Sequence, residues 1–145
     1  MRDFRTSFEW SIAARHNVAA GRGCDHGWMR RTVLIVDDHA DFRRSASALL
    51  EAEGFRVVGE AADGVGAIAA VALLRPDIVL LDIQLPLMDG FLVAEQLSVD
   101  PHPPALVLVS SRDADAYGSL LQLSPAKGFI PKSALSGDTL TAVLR

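Results

Sequence analysis

Asp77-Ile-Val-Leu-Leu-Asp82, with the Ile-Gln-Leu-Pro86-Leu-Met-Asp89-Gly90 that follows it, is the stretch that decides the fold. Four consecutive apolar residues between two acids offer water no polar face. That is the pattern of a strand covered on both sides, as in the middle of a parallel sheet. The run stops at a carboxylate, and the carboxyl ends of such strands are where open α/β sheets place their chemistry. Pro86 and Asp89-Gly90 then turn the chain toward a helix. An isolated aspartate at a strand end is more often a cap or turn residue than a functional group. Asp82 gains meaning only from its company.

Toward the N-terminus, Val33-Leu-Ile-Val36 is a β-branched run ending in Asp37-Asp38. A helix is expected over 41–53, where Phe42, Ala46, Leu49 and Leu50 share a face and Gly54 follows as a C-cap. Residues 56–60 read as a second strand. Asp63-Gly64 opens a helix through Ala67, Ile68, Val71 and Leu74 that Pro76 stops. Beyond the central strand come a helix over 91–97, a proline-rich loop at 101–104 and a buried strand over 105–109 ending in Ser110-Ser111. A weaker helical pattern spans 114–123. A fifth strand over 127–130 is followed by Pro131-Lys132, and a last helix begins at Asp138. Strands alternating with helices over short connections imply a parallel sheet with right-handed crossovers. Pro131 removes a ladder donor and so needs an edge strand. The flavodoxin-like, doubly wound order 2-1-3-4-5 with helices on both faces satisfies this. It also brings strands one and three together beneath a switch point.

The bulk numbers narrow the function. A chain of 145 residues buries one core. Its net charge of −4 is uneven, since residues 1–31 hold six arginines against three acids and the remainder sums to −7. An acidic body does not attract a phosphate backbone, so no direct nucleic-acid binding is expected. The single cysteine, Cys24, excludes an internal disulfide. No apolar run approaches the roughly 20 residues that span a bilayer, so no membrane association is expected and the location expected is cytoplasmic. Residues 1–31 show no sustained period and are expected to be a flexible or extraneous extension. Phe4, Phe8, Trp10 and Ile12 suit only a short amphipathic helix, and Met29 stands where a native start would fall. Cys24-Asp-His26 is a weak metal signal without a second ligand pair.

On the expected sheet Asp37, Asp38, Asp82, Ser110 and Lys132 meet at one rim. Three crowded carboxylates repel one another and require compensation. A hard divalent cation supplies it, and Mg²⁺ suits a site of two or three protein oxygens and several waters. An ammonium and a hydroxyl beside that ion suit a phosphoryl group. An aspartate carboxylate can itself be the phosphoryl acceptor.

Val33-Leu-Ile-Val-Asp37-Asp38-His, Val79-Leu-Leu-Asp82-Ile-Gln-Leu-Pro86-Leu-Met-Asp89-Gly90, Val107-Leu-Val-Ser110-Ser111 and Lys127-Gly-Phe129-Ile-Pro-Lys132 together resemble the four signatures of a response-regulator receiver domain, over residues 32–145. The resemblance implies that a sensor histidine kinase or phosphotransfer protein phosphorylates Asp82 in a two-component relay. Asp37, Asp38, Asp82 and the backbone carbonyl of Gln84 would hold Mg²⁺, and Lys132 would bind the phosphoryl oxygens. Ser110 and Phe129 would switch, changing a surface made by the fourth helix, fifth strand and fifth helix that signals to a downstream protein. Such a chain is a self-catalysing phosphoacceptor and not an enzyme in its own right, and a homodimer formed on phosphorylation is among its partners. Many receivers follow the lysine with proline. Here Ser133 follows and Pro131 precedes, so a rearranged loop is expected with the site retained. Gln84 and Arg112 are expected to flank the entry of attacking water. Leu87 and Met88 read as loop packing.

Three further readings stay open. An aspartate-nucleophile hydrolase would need a second acid where Gln84 stands. A pseudo-receiver would bind partners without phosphorylation. The Gly-Phe-Ile-Pro-Lys-Ser wording resembles receivers that precede DNA-binding domains, so the chain is read either as a stand-alone receiver working through protein contacts or as the receiver fragment of a DNA-binding regulator.

Overall fold

Each of the five apolar runs forms a strand in the computed structural model, which describes residues 30–145. In chain order the elements are β1 (Thr32–Val36), α1 (Ala40–Ala52), β2 (Arg56–Ala61), α2 (Gly64–Leu74), β3 (Ile78–Asp82), α3 (Gly90–Ser98), β4 (Ala105–Ser110), α4 (Leu120–Leu123), β5 (Gly128–Pro131) and α5 (Gly137–Leu144). The sheet is parallel throughout, in the order β2-β1-β3-β4-β5. The expected doubly wound topology is therefore the observed one. Pro131 closes β5 at the sheet edge, paired with Ser110, where its missing N–H costs no ladder bond. The expected extension, the Phe4–Ile12 helix, Cys24-Asp-His26 and Met29 fall on residues 1–29, outside those described.

The sheet divides the apolar residues by parity. Val33, Ile35, Ile78, Leu80, Val107, Val109 and Ile130 pack on one face with Ala46 and Leu50 of α1 and Leu140 of α5. Leu34, Val36, Val79, Leu81, Leu106 and Leu108 pack on the other with α2 and α3. Every residue of β3 is buried, as its four-residue apolar run requires.

Local signals end the helices as the sequence suggests. Asp63 Oδ1 accepts from Gly66 N at 2.7 Å and Asp89 Oδ1 from Leu92 N at 2.9 Å, each capping a helix N-terminus. Gly54, at φ +101°, lies just past α1 in the left-handed region.

Two expectations need correction. The helix expected over 114–123 is broken into a 3₁₀ turn at Ala114–Ala116 and the four-residue α4. No residue from 111 to 127 is buried, so no continuous apolar stripe compels a long helix there. Leu87 does not pack in its loop. It is fully exposed at φ +69°, whereas Met88 does pack against the core.

Candidate functional site

Strand parity also sorts the polar strand ends. Asp37 continues the Val33–Ile35 series and Asp82 the Ile78–Leu80 series, so both belong to the α1/α5 side of adjacent strands. Asp37 is wholly buried and Asp82 is 2 % exposed. The turn after β1 is pinned by its backbone. Asp37 N donates to Ala61 O at 2.9 Å, and its carbonyl accepts from Arg43 Nη1 at 2.6 Å. Arg43 Nε is held in turn by Glu60 Oε1 at 2.9 Å. After β3, Gly90 N donates to Ile83 O at 2.7 Å and folds the start of α3 back over the strand end. The approach is so close that a Cβ at Gly90 would lie 2.4 Å from the Asp82 carbonyl oxygen.

Lys132 completes the cluster from β5. Its Nζ lies 2.6 Å from Asp37 Oδ2 and 3.6 Å from Asp82 Oδ2, and 4.6 Å from the centroid of the Phe42 ring. The loop with Ser133 after the lysine is a short 3₁₀ turn, Lys132–Ala134. His39 Nδ1 stands 3.1 Å from Asp37 Oδ1 and 3.1 Å from Asp38 Oδ1. Asp82 Oδ1 accepts a long hydrogen bond, 3.3 Å, from Gln84 N. Burial, and next the neighbouring Asp37 carboxylate, raise the Asp82 carboxyl from 3.8 to about 6, although Lys132 and the Gln84 N–H pull the other way.

One oxygen shows what the cluster lacks. Asp37 Oδ2 is buried and accepts no hydrogen bond, the ammonium beside it being in ion-pair contact without hydrogen-bond geometry. Ligand atoms of Asp37, Asp38, His39 and Asp82 all lie within 4.8 Å of one another. Three carboxylates so placed against the one Lys132 ammonium leave negative charge that a divalent cation such as Mg²⁺ fits.

Ser110 and Phe129 lie on the other side of the sheet. Ser110 follows Leu106 and Leu108 in parity and is fully buried. Its Oγ accepts from Arg112 N at 3.0 Å and is hydrogen-bonded to the Tyr117 hydroxyl at 2.6 Å. The Tyr117 ring packs against Phe91 and Phe129, with centroids 5.8 and 6.1 Å away. The structure thus gathers Asp37, Asp38, Asp82 and Lys132, and places Ser110 and Phe129 in a second, aromatic cluster. Gln84 and Arg112 are both exposed residues. Sequence reasoning missed His39, Phe42, Arg43 and Tyr117. Only His39, adjacent to the acids, carried a signal in its position. A hollow lined by Arg31, Asp77, Pro103, Pro104 and Lys127 lies at the opposite end of the strands. Its one acid is already bonded to Thr32 N and Oγ1.

A doubly wound sheet with carboxylates buried at the ends of β1 and β3 and a lysine at the end of β5 defines the class of acidic switch-point domains. Residues 33–145 match the response regulator receiver domain, and the chain belongs to that family. It is similar to the protein-glutamate methylesterase/protein-glutamine glutaminase of Alkalilimnicola ehrlichii, 38% identical over 76% of this chain and 29% of that protein. It is also similar to the transcriptional regulatory protein PdtaR of Mycobacterium tuberculosis, 32% identical over 73% of this chain and 56% of the relative. The chain thus spans between about a quarter and about half the length of these curated relatives. Among solved structures, the signal receiver domain of the response regulator NarL from Mycobacterium tuberculosis superposes with a TM-score of 0.70 at 34% identity, over 79% of this chain and 94% of that one. The chemotaxis response regulator CheY4 of Vibrio cholerae gives a TM-score of 0.68 at 25% identity, over 79% and 96%. No helix among the described residues is long and apolar enough to cross a membrane.

Proposed function

We propose that this receiver accepts a phosphoryl group on the Asp82 carboxylate from a phosphohistidine of a sensor kinase or phosphotransfer protein. The observation that carries the reading is the arrangement of buried Asp37 and Asp82 about the half-buried Lys132, in which one ammonium lies 2.6 and 3.6 Å from two carboxylates at a parallel-sheet rim. A carboxylate oxygen of Asp82 attacks phosphorus, the P–N bond breaks, and its electron pair stays on the imidazole nitrogen. Water later attacks the acyl phosphate, restoring the carboxylate and releasing inorganic phosphate. Lys132 supplies positive charge to the phosphoryl oxygens. Asp37, Asp38, Asp82 and the Gln84 carbonyl would hold Mg²⁺, which when bound offsets the negative charge of the carboxylates and the phosphoryl group. The modified group remains on the chain, so it is a phosphoacceptor with self-catalysed turnover and not an enzyme with a separate substrate.

The dianion on Asp82 then draws the Ser110 hydroxyl, and Phe129 turns with it, changing the surface made by α4, β5 and α5 that a downstream partner reads. Relatives that are transcriptional regulators and methylesterases, both longer than this chain, support a role in controlling an effector, attached or separate. Such a relay acts in the cytoplasm.

The test is incubation with acetyl phosphate and Mg²⁺ followed by intact mass. Wild type is expected to gain one phosphoryl mass and Asp82→Asn none. Equal gain in both, or no gain in wild type, overturns the reading and leaves a partner-binding module.

A further inference from the structure

Ser110 is committed elsewhere before any phosphoryl group arrives. A serine hydroxyl has one hydrogen and two acceptor sites. In Ser110 one acceptor site takes the Arg112 N–H, and the Tyr117 hydroxyl holds a second position at 2.6 Å. The residue is fully buried, so either bond, once broken, must be replaced. Tyr117 is the chain's single tyrosine. Among the described residues it alone combines a hydroxyl contact to Ser110 with a ring contact to Phe129. Its segment is lightly anchored. Tyr117 follows the 3₁₀ turn, and of its neighbours only Leu121 and Ala126 join the ring in packing against the core. Moving it disturbs few buried contacts.

We propose that Tyr117 is a positioning residue for phosphoryl binding: its hydroxyl holds Ser110 on the aromatic side of the sheet in the unphosphorylated chain, and its ring passes the release of Ser110 to Phe129. The inference rests on the reading of Asp82 as phosphoacceptor and Ser110 as the hydroxyl that follows it. For the Ser110 hydroxyl to leave this position for a phosphoryl oxygen on Asp82, the Ser110–Tyr117 bond has to break, whichever of the two hydroxyls donates it. The Tyr117 hydroxyl then turns to water, and the ring, freed from Ser110, no longer fixes the space beside Phe129. Affinity for the phosphoryl group and the state of the aromatic cluster are thereby linked through one hydrogen bond.

The probe is beryllium fluoride with Mg²⁺, a stable phosphoryl mimic, titrated into the full chain and followed by amide NMR signals of Ser110 and residues 128–130. Tyr117→Phe keeps the ring and removes the latch, so half-saturation is expected at about fivefold lower probe, the size of one modest hydrogen bond. Ser110→Ala is expected to weaken binding, and adding Tyr117→Phe to it to change nothing more. Tyr117→Leu is expected to leave binding at least as tight as in wild type while the 128–130 signals lose their response. Unchanged or weaker binding by Tyr117→Phe overturns the proposal. So does a fivefold gain that persists in the Ser110→Ala background, because the effect then bypasses Ser110. A wild type that gives no probe-dependent shift overturns the phosphoacceptor reading itself. If the probe binds and Ser110→Ala binds as tightly as wild type, the assigned role of Ser110 fails and the latch with it.

Discussion

The loops after β1 and β3 and the segment from 111 to 127 both follow strand ends at the same rim, yet they are built in opposite ways. The acid-bearing loops are tied at each step: Asp37 by its backbone to Ala61 and Arg43, the start of α3 by Gly90 to Ile83, and the side chains of Asp37 and Asp82 buried. The 111–127 segment has no buried residue and only a 3₁₀ turn and a four-residue helix. Its attachment to the core runs through a few half-buried side chains, Tyr117 foremost. Crowded carboxylates must be held at fixed separation, which demands rigid backbone. The switching proposed above for the surface that includes α4 would need a segment that costs little to rearrange, which demands the reverse.

Glycine substitutions break this comparison most sharply. Gly90→Ala places a Cβ 2.4 Å from a backbone oxygen and 2.7 Å from Ile83 Cα, with no flexible side chain to yield. A loss of about 3 kcal/mol or more in urea unfolding is expected. Gly118→Ala has open space around the new methyl and meets only the strain of φ +56°, so about 1 kcal/mol is expected. Equal losses would mean that the two regions are equally constrained.

A smaller effect comes from the charge stored on the rigid side. Asp82 has its pKa raised to about 6 by burial and by Asp37, so its folded value lies above its unfolded value. Stability from the protonated form is then complete below about pH 3.8 and lost as pH rises through about 6. Without metal at pH 7, Asp82→Asn should unfold about 2 kcal/mol later than wild type. The gap should close as pH falls from about 6 toward 3.8. Millimolar Mg²⁺ should narrow it at pH 7 by stabilising wild type more than the variant, which lacks one of the carboxylates. A gap independent of pH would remove the electrostatic account.

Leu87 gives the smallest effect and tests whether the acid side is constrained throughout. It is fully exposed in the left-handed region, where an L side chain is strained by roughly 1–2 kcal/mol. Glycine relieves that strain but adds unfolded-state entropy. Leu87→Gly should therefore raise stability by only about 0.5 kcal/mol, with phosphoryl gain from acetyl phosphate unchanged. A loss of phosphoryl gain would give the exposed leucine a part in the reaction.

Periodicity and local chemistry carry a good deal of this protein in the sequence alone. Apolar runs give the five strands, Pro131 marks the edge, Asp63 and Asp89 cap their helices, and the acids at 37, 38 and 82 with Lys132 announce a charged rim. These features are legible because each rests on neighbours in the chain or on a period of two or 3.6 residues. The broken helix at 114–123 was not legible, since a weak stripe forms a helix only where a partner surface is there to bury it. Nor was the division of the polar residues into two clusters, with Ser110 turned to Tyr117 and Lys132 to Asp37 over Phe42. Lys132 meets Asp37 and Phe42 across some ninety residues through sheet register, and Ser110 meets Tyr117 seven residues on only because strand parity and the irregular turn after β4 set the two hydroxyls together. Register and parity are settled only when the whole core packs at once.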